Sequence, residues 1–136
     1  MPITQGFNHV AILTPDLDRL VRFYEEAFGA EATFEMGAED GHPRMIILDL
    51  GLGACLNAFE VGPDEIIGER RRIGARGAID HFALAVESLA VLEIVASRIV
   101  AAHGEVGEIQ RLGNEWSLFF RDPDDMELEV CCPVTE

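Results

Sequence analysis

A histidine recurs in this chain at a fixed interval, and the same interval links an amide to a carboxylate; imidazole and carboxylate both ligate divalent metals. Phe7-Asn8-His9-Val10-Ala11-Ile12 returns 72 residues later as Ile79-Asp80-His81-Phe82-Ala83-Leu84. The same interval carries Asn57, in Cys55-Leu56-Asn57-Ala58-Phe59, onto Glu129, in Glu127-Leu128-Glu129-Val130-Cys131. Each half therefore pairs a histidine with a polar group 48 residues later. A duplication that sets two imidazoles and a carboxylate at equivalent places points to one divalent ion on a pseudo-twofold axis. The plainer reading is two buried structural histidines and a surface glutamate. The symmetry favours the metal.

The elements that must position these groups also repeat. A strand is expected over about 6–13. Thr14-Pro15 then reads as a helix N-cap followed by proline at the first helical position. Leu17, Leu20, Val21, Tyr24, Ala27 and Phe28 form one apolar stripe, and Gly29 ends the helix. Strands follow near 31–36, 44–50 and 54–61. Residues 62–77 read as a linker, after which the order returns: a strand near 78–86, a helix capped by Ser88 and closed by His103-Gly104, then strands near 105–111, 115–121 and 126–132. Leu112-Gly113-Asn114 and Asp122-Pro123-Asp124-Asp125 supply turns. Module 1 thus spans about 5–61 and module 2 about 78–133, within one domain of residues 1–136. Strand alternation places His9, His81, Glu129 and Asn57 on the faces away from the helices. Ala11 and Ala83 beside the histidines leave room for a ligand. Glu60 has the opposite parity from Asn57 and ranks below it as a fourth ligand.

Composition narrows the function. The 136 residues are 49% hydrophobic and 26% charged, which suits one globular domain with its own core. A formal net charge of −15 argues against nucleic-acid binding. No apolar run approaches the ~20 residues needed to cross a membrane. Met1-Pro2-Ile3-Thr4-Gln5 lacks the character of a signal peptide. Three cysteines, Cys55, Cys131 and Cys132, without a secretory signal imply free thiols in a reducing cytoplasm. Arg70, Arg71, Arg72 and Arg76 form the one basic cluster, read as solvated surface.

Four segments together resemble the vicinal oxygen chelate superfamily, which includes glyoxalase I, methylmalonyl-CoA epimerase, fosfomycin-resistance transferases, extradiol dioxygenases and bleomycin-resistance proteins. They are Asn8-His9-Val10-Ala11-Ile12, Arg22-Phe23-Tyr24-Glu25-Glu26-Ala27-Phe28-Gly29, Asp80-His81-Phe82-Ala83-Leu84, and the stretch from Phe120 to Val130. The resemblance covers roughly residues 5–133. It implies an α+β fold of two tandem βαβββ modules whose mixed sheets curl into a metal-binding cup. It also implies His9, His81 and Glu129 as metal ligands, Asn57 at the fourth place, and one divalent ion (Fe, Zn, Mn, Ni or Co). Asp125 stands where the family turn usually has glycine. Asn57 stands where glyoxalase I is expected to carry a base-competent glutamate, and an amide cannot take a proton at neutral pH.

The implied chemistry begins when two neighbouring substrate oxygens chelate the metal, which stabilises developing negative charge. Glu127 shares parity with Glu129 and is the candidate base. Phe59 and Trp116 are candidate walls of an apolar pocket. His42, His103 and Tyr24 read as turn, cap and helix-stripe residues. No cation faces the ligands except Arg121, which weighs against a phosphonate substrate. Two function classes stand: a metal-dependent lyase, isomerase or dioxygenase acting on a small substrate with vicinal oxygens, and a metal-free drug-binding protein of the bleomycin-resistance type. A homodimer is expected in either case.

Overall fold

A computed structural model describes residues 2–3, 6–68 and 81–135 of the chain. The expectations placed on Ile79, Asp80 and the arginine cluster at 70–76 lie outside the described residues.

The first module runs β1 (His9–Thr14), α1 (Leu17–Phe28), β2 (Glu31–Met36), β3 (Met45–Asp49) and β4 (Cys55–Glu60). Its sheet has the order β1-β4-β3-β2, with β1 and β4 parallel and the other pairs antiparallel. The second module runs β5 (Phe82–Ala85), α2 (Leu89–Ala101), β6 (Glu105–Val106), β7 (Gln110–Leu112), β8 (Glu115–Arg121) and β9 (Glu127–Pro133). Its order is β5-β9-β8-β6, with β7 also pairing β8. The strand expected over 105–111 is therefore two short pieces. Gly107 bridges the gap by donating its N–H to the Phe119 carbonyl at 2.9 Å. Among the described residues no strand pairing joins the two sheets, so the barrel is not closed.

The 72-residue interval holds in the hydrogen-bond register. Ala11 lies opposite Asn57 and Ala83 opposite Glu129. Ile47 lies opposite Asn57 and Phe119 opposite Glu129. It holds at the caps too. Asp16 Oδ1 accepts the Arg19 N–H, and Ser88 Oγ accepts the Val91 N–H. The first helix is therefore capped by Asp16, two residues later than Thr14. Thr14 is fully buried as the last residue of β1, and its hydroxyl accepts from the Asp16 N–H instead. Gly29 ends α1 in the left-handed region (φ 67°) that glycine enters at low cost.

Both helices cover one side of their sheets, and the two helix-facing layers merge into one core. Leu17, Leu20, Phe23, Tyr24 and Ala27 are the buried face of α1; Phe23 joins the expected stripe, while Val21 and Phe28 pack at its margin. Phe23 stacks on Phe120 of β8 with ring centroids 6.4 Å apart, and Phe28 lies 5.4 Å from the same ring. A Cβ added to Gly104 would fall 2.7 Å from both Phe23 Cε2 and Ile99 Cγ2, so only glycine allows this approach of the modules. The Tyr24 hydroxyl donates to Asp122 Oδ2 at 3.0 Å, and Arg19 pairs with Asp124. Helix α1 of one module is thus tied to the β8–β9 turn of the other. Asp125, in that turn, adopts φ 63°, the conformation that glycine would take most cheaply.

Candidate metal site on the open sheet faces

Along β9 the side chains at 128, 130 and 132 are buried under helix α2, while those at 127, 129 and 131 are half-buried on the opposite side. Glu129 therefore projects from the open face of its sheet. His81, at the mouth of β5, meets it there: Nε2 lies 3.3 Å from Glu129 Oε1. The other carboxylate oxygen accepts a short hydrogen bond from Ser117 Oγ. Ser117 is fully buried and sits on β8 opposite Cys131. The His81 ring stands edge-on to Phe119, with centroids 5.1 Å apart and planes at 76°. Burial, and then the Glu129 carboxylate beside it, pushes the Cys131 thiol up to about 12, which keeps it protonated.

His9 begins β1 on the open side of the first sheet and is exposed. Its Nδ1 lies 2.8 Å from Asn8 Oδ1. An amide oxygen only accepts, so the ring donates from Nδ1 in this contact, which leaves Nε2 as the nitrogen that could ligate a metal. His9 and His81 line the same cavity of about 560 Å³, whose other walls include Phe7, Val10, Leu56 and Phe82. No group of three or more histidine, cysteine, aspartate or glutamate side chains assembles among the described residues. The chain brings His81 and Glu129 together and leaves His9 on the neighbouring sheet.

Asn57 and Phe59 lie on the open face of the first sheet, as alternation required. Phe59 also faces His42, with ring centroids 5.9 Å apart. Glu60 turns to the helix side, where Oε2 accepts the Leu17 N–H at 2.9 Å and caps α1. Glu127 shares the open face with Glu129, and Arg121 Nε donates to it at 3.0 Å. Trp116 pairs with buried Cys132 and shares its side of β8 with buried Leu118 and Phe120, where it packs against the core and away from the open face. The aromatic residue on the open side of β8 is Phe119. Ser117 and Phe119 were missed. Counting by two along β8 from the residue opposite Glu129 would have found both, once the β8–β9 register was known.

Arg121 is flanked by Asp125 at 2.9 Å and Glu127 at 3.0 Å, which raise its already high pKa and neutralise it locally. It offers no spare charge for an anion. Among the described residues no helix is long and apolar enough to cross a membrane.

Several solved structures share this fold. The glyoxylase/bleomycin resistance protein/dioxygenase domain from Frankia sp. EAN1pec is 24% identical, covers 96% of this chain and 99% of its own, and superposes with a TM-score of 0.79. A mutant of the fosfomycin resistance protein FosX from Listeria monocytogenes, complexed with Mn(II) and 1S,2S-dihydroxypropylphosphonic acid, is 21% identical (94% and 90% covered, TM-score 0.69). Lactoylglutathione lyase from Agrobacterium tumefaciens is 24% identical (96% and 96% covered, TM-score 0.66). No curated protein sequence matches significantly. The family model for the Glyoxalase/Bleomycin resistance protein/Dioxygenase superfamily matches residues 6–130, so the chain, with its two βαβββ modules repeating at 72 residues, belongs to that superfamily.

Proposed function

We propose that the protein is a divalent-metal-dependent enzyme, of lyase, isomerase or dioxygenase type, acting on a small substrate with vicinal oxygens. The observation that carries this reading is the His81–Glu129 pair, 3.3 Å apart on an open sheet face, with Ser117 orienting the carboxylate. An imidazole and a carboxylate fit a borderline or hard divalent ion, and His9 supplies the third donor through Nε2. A bound ion supplies Lewis-acid stabilisation of charge developing on a chelated substrate oxygen. Glu127 is the proposed proton acceptor, on the same face and aimed by Arg121. Asn57 contributes an amide for orienting substrate and cannot serve as a base. The solved Mn(II) complex of the similar FosX protein supports a metal in this fold.

Because His9 stands apart from the pair within one chain, the third ligand comes from a second copy, which makes the enzyme a homodimer. Calorimetric titration with Mn(II) should find one ion per chain in the wild type. Folded His81→Ala should bind none, and undiminished binding by that variant would assign the wrong ligands. Mixed His9→Ala and His81→Ala chains, each silent alone, should regain one site per mixed dimer; no recovery means the ligands come from one chain. A protein that never takes up metal yet binds small molecules would belong with the drug-sequestering members instead.

A further inference from the structure

The open face of the first sheet carries two apolar rows, of which the metal reading uses only Asn57. A β-bulge creates them. The pairing of β2 with β3 slips between Ala32 and Phe34. Without the slip, Phe34 and Met36 would share the helix side with Ala32, which lies opposite buried Leu48. With it they turn to the open face, while Glu35 falls on the helix side and pairs with Arg44 at 3.0 Å. One row then reads Ala11–Asn57–Ile47–Phe34 across four strands. The next reads Leu13–Phe59–Met45–Met36. Asn57 is the single polar member of the two. The third row, His9–Cys55–Asp49–Glu31, is polar and holds the histidine.

These rows are partly solvent-accessible: Phe34 is 49% exposed and Leu13 46% exposed, while Met45 is buried. An apolar face left open beside polar groups marks a binding surface. The modules differ at equivalent positions. Met45, Ile47 and Phe59 of the first correspond to Ser117, Phe119 and Cys131 of the second, which surround Glu129. Charge points the same way. Among the described residues Arg121 is the only arginine on an open face, and two carboxylates hold it. Arg44 is on the helix side with Asp18 and Glu35.

We propose that the open face of the first module is a substrate platform that selects an uncharged, apolar body, Phe34 and Phe59 being its main contacts. It takes a neutral substituted ring or branched hydrocarbon whose two oxygens reach past Asn57 to the metal. This rests on the metal-enzyme reading for the oxygens alone; the platform itself binds without metal.

Equilibrium dialysis of the metal-free full chain tests it with 4-tert-butylphenol, neutral and apolar, against 4-hydroxybenzoate, the same ring bearing a carboxylate. The phenol should bind at least about tenfold more tightly. Phe34→Ser, at a half-exposed position that folding tolerates, should erase most of that preference. Ile94→Ser, on the exposed side of α2, should change nothing. Equal binding of 4-hydroxybenzoate, or full retention of 4-tert-butylphenol by folded Phe34→Ser, overturns the platform. Adding Mn(II) and 4-tert-butylcatechol under nitrogen then reads the metal separately. Tightening over the phenol supports both readings. No tightening sinks the metal reading and leaves the platform to the metal-free result.

Discussion

Asp122 is a carboxyl group that folding places where a charge is costly. It is 5% exposed, beneath helix α1 of the other module. Three donors face it: the Tyr24 hydroxyl at 3.0 Å, the Asp124 N–H at 2.9 Å and the Met126 N–H at 3.1 Å. These bonds favour the carboxylate, while burial and the nearby Asp124 disfavour it. Burial wins and raises the group from 3.8 to about 6. The native state then holds its proton more tightly than the unfolded chain, so this group lowers stability as pH rises through the window from 3.8 to about 6. About two units at 1.36 kcal/mol each give a total cost of about 3 kcal/mol, of which about 2 kcal/mol accrues between about pH 4.5 and 7.5. Asp122→Asn removes the titration. Its Oδ1 keeps both backbone donors, and its amide can donate to the Tyr24 oxygen. Urea unfolding of both proteins across that range should show the variant gaining about 2 kcal/mol on the wild type as pH rises. Differencing the two proteins cancels the other acids. A difference that stays flat with pH would mean that the three hydrogen bonds fully offset burial, and the reasoning would fail.

Gly104→Ala should cost about 1–3 kcal/mol in the same unfolding assay, because its methyl would sit 2.7 Å from Phe23 and Ile99; an unchanged midpoint would show that the modules can slide apart. Ser117→Ala should weaken Mn(II) binding by about 10- to 100-fold with little change in melting temperature, and Ser117→Thr should restore part of it; equal affinity in the alanine variant would make the Glu129 contact incidental. The wild type should turn over the methylglyoxal–glutathione hemithioacetal negligibly with Zn, Ni, Co or Mn, since Asn57, at the place of the glyoxalase base, cannot take the proton; robust turnover would show that Glu127 takes it in place of residue 57. Asn57→Glu should tighten metal binding, read by calorimetry, if the fourth place faces the ion.

Much of this architecture was legible because duplication turns one sequence into two readings of the same fold. The interval fixed from His9 and His81 aligns Ala11 with Ala83 and Ile47 with Phe119 in the observed register. It would also have corrected the first cap, since Ser88 less the interval is Asp16, not Thr14. Local chemistry misled there: threonine before proline caps helices well, but this threonine is the buried end of a strand. The side taken by Trp116 was not legible from the residue alone; its pairing with Cys132 assigns it. The bulge at β2 was invisible for a related reason. Ala32, Phe34 and Met36 alternate as an unbroken strand would, and the slip exists only relative to β3. The separation of His9 from Glu129 is a matter of how two modules dock, and alternation within strands says nothing about docking.

The same comparison between modules explains how one fold divides its labour. At equivalent register positions the second module replaces Met45 with Ser117, Asn57 with Glu129 and Phe59 with Cys131. Two changes add a polar group around one point and the third turns an amide into a carboxylate, and Ser117 can hold Glu129 only because the residue two along from Phe119 is small and hydroxylic. The first module keeps apolar groups at two of those places, with Asn57 at the third, and uses a bulge to add two more apolar groups from β2. Its helix side still needs Glu35 for Arg44, so the slip serves both faces at once. A symmetric ancestor with two polar faces would gather charge on both walls, and desolvating that charge around an apolar substrate would be costly. Splitting the faces lets one wall hold an ion and the other hold hydrocarbon. This is why Phe34→Ser and Ser117→Ala should separate: the first should loosen 4-tert-butylphenol and spare Mn(II), the second should do the reverse. Variants that lose both ligands together would show one wall where two are inferred.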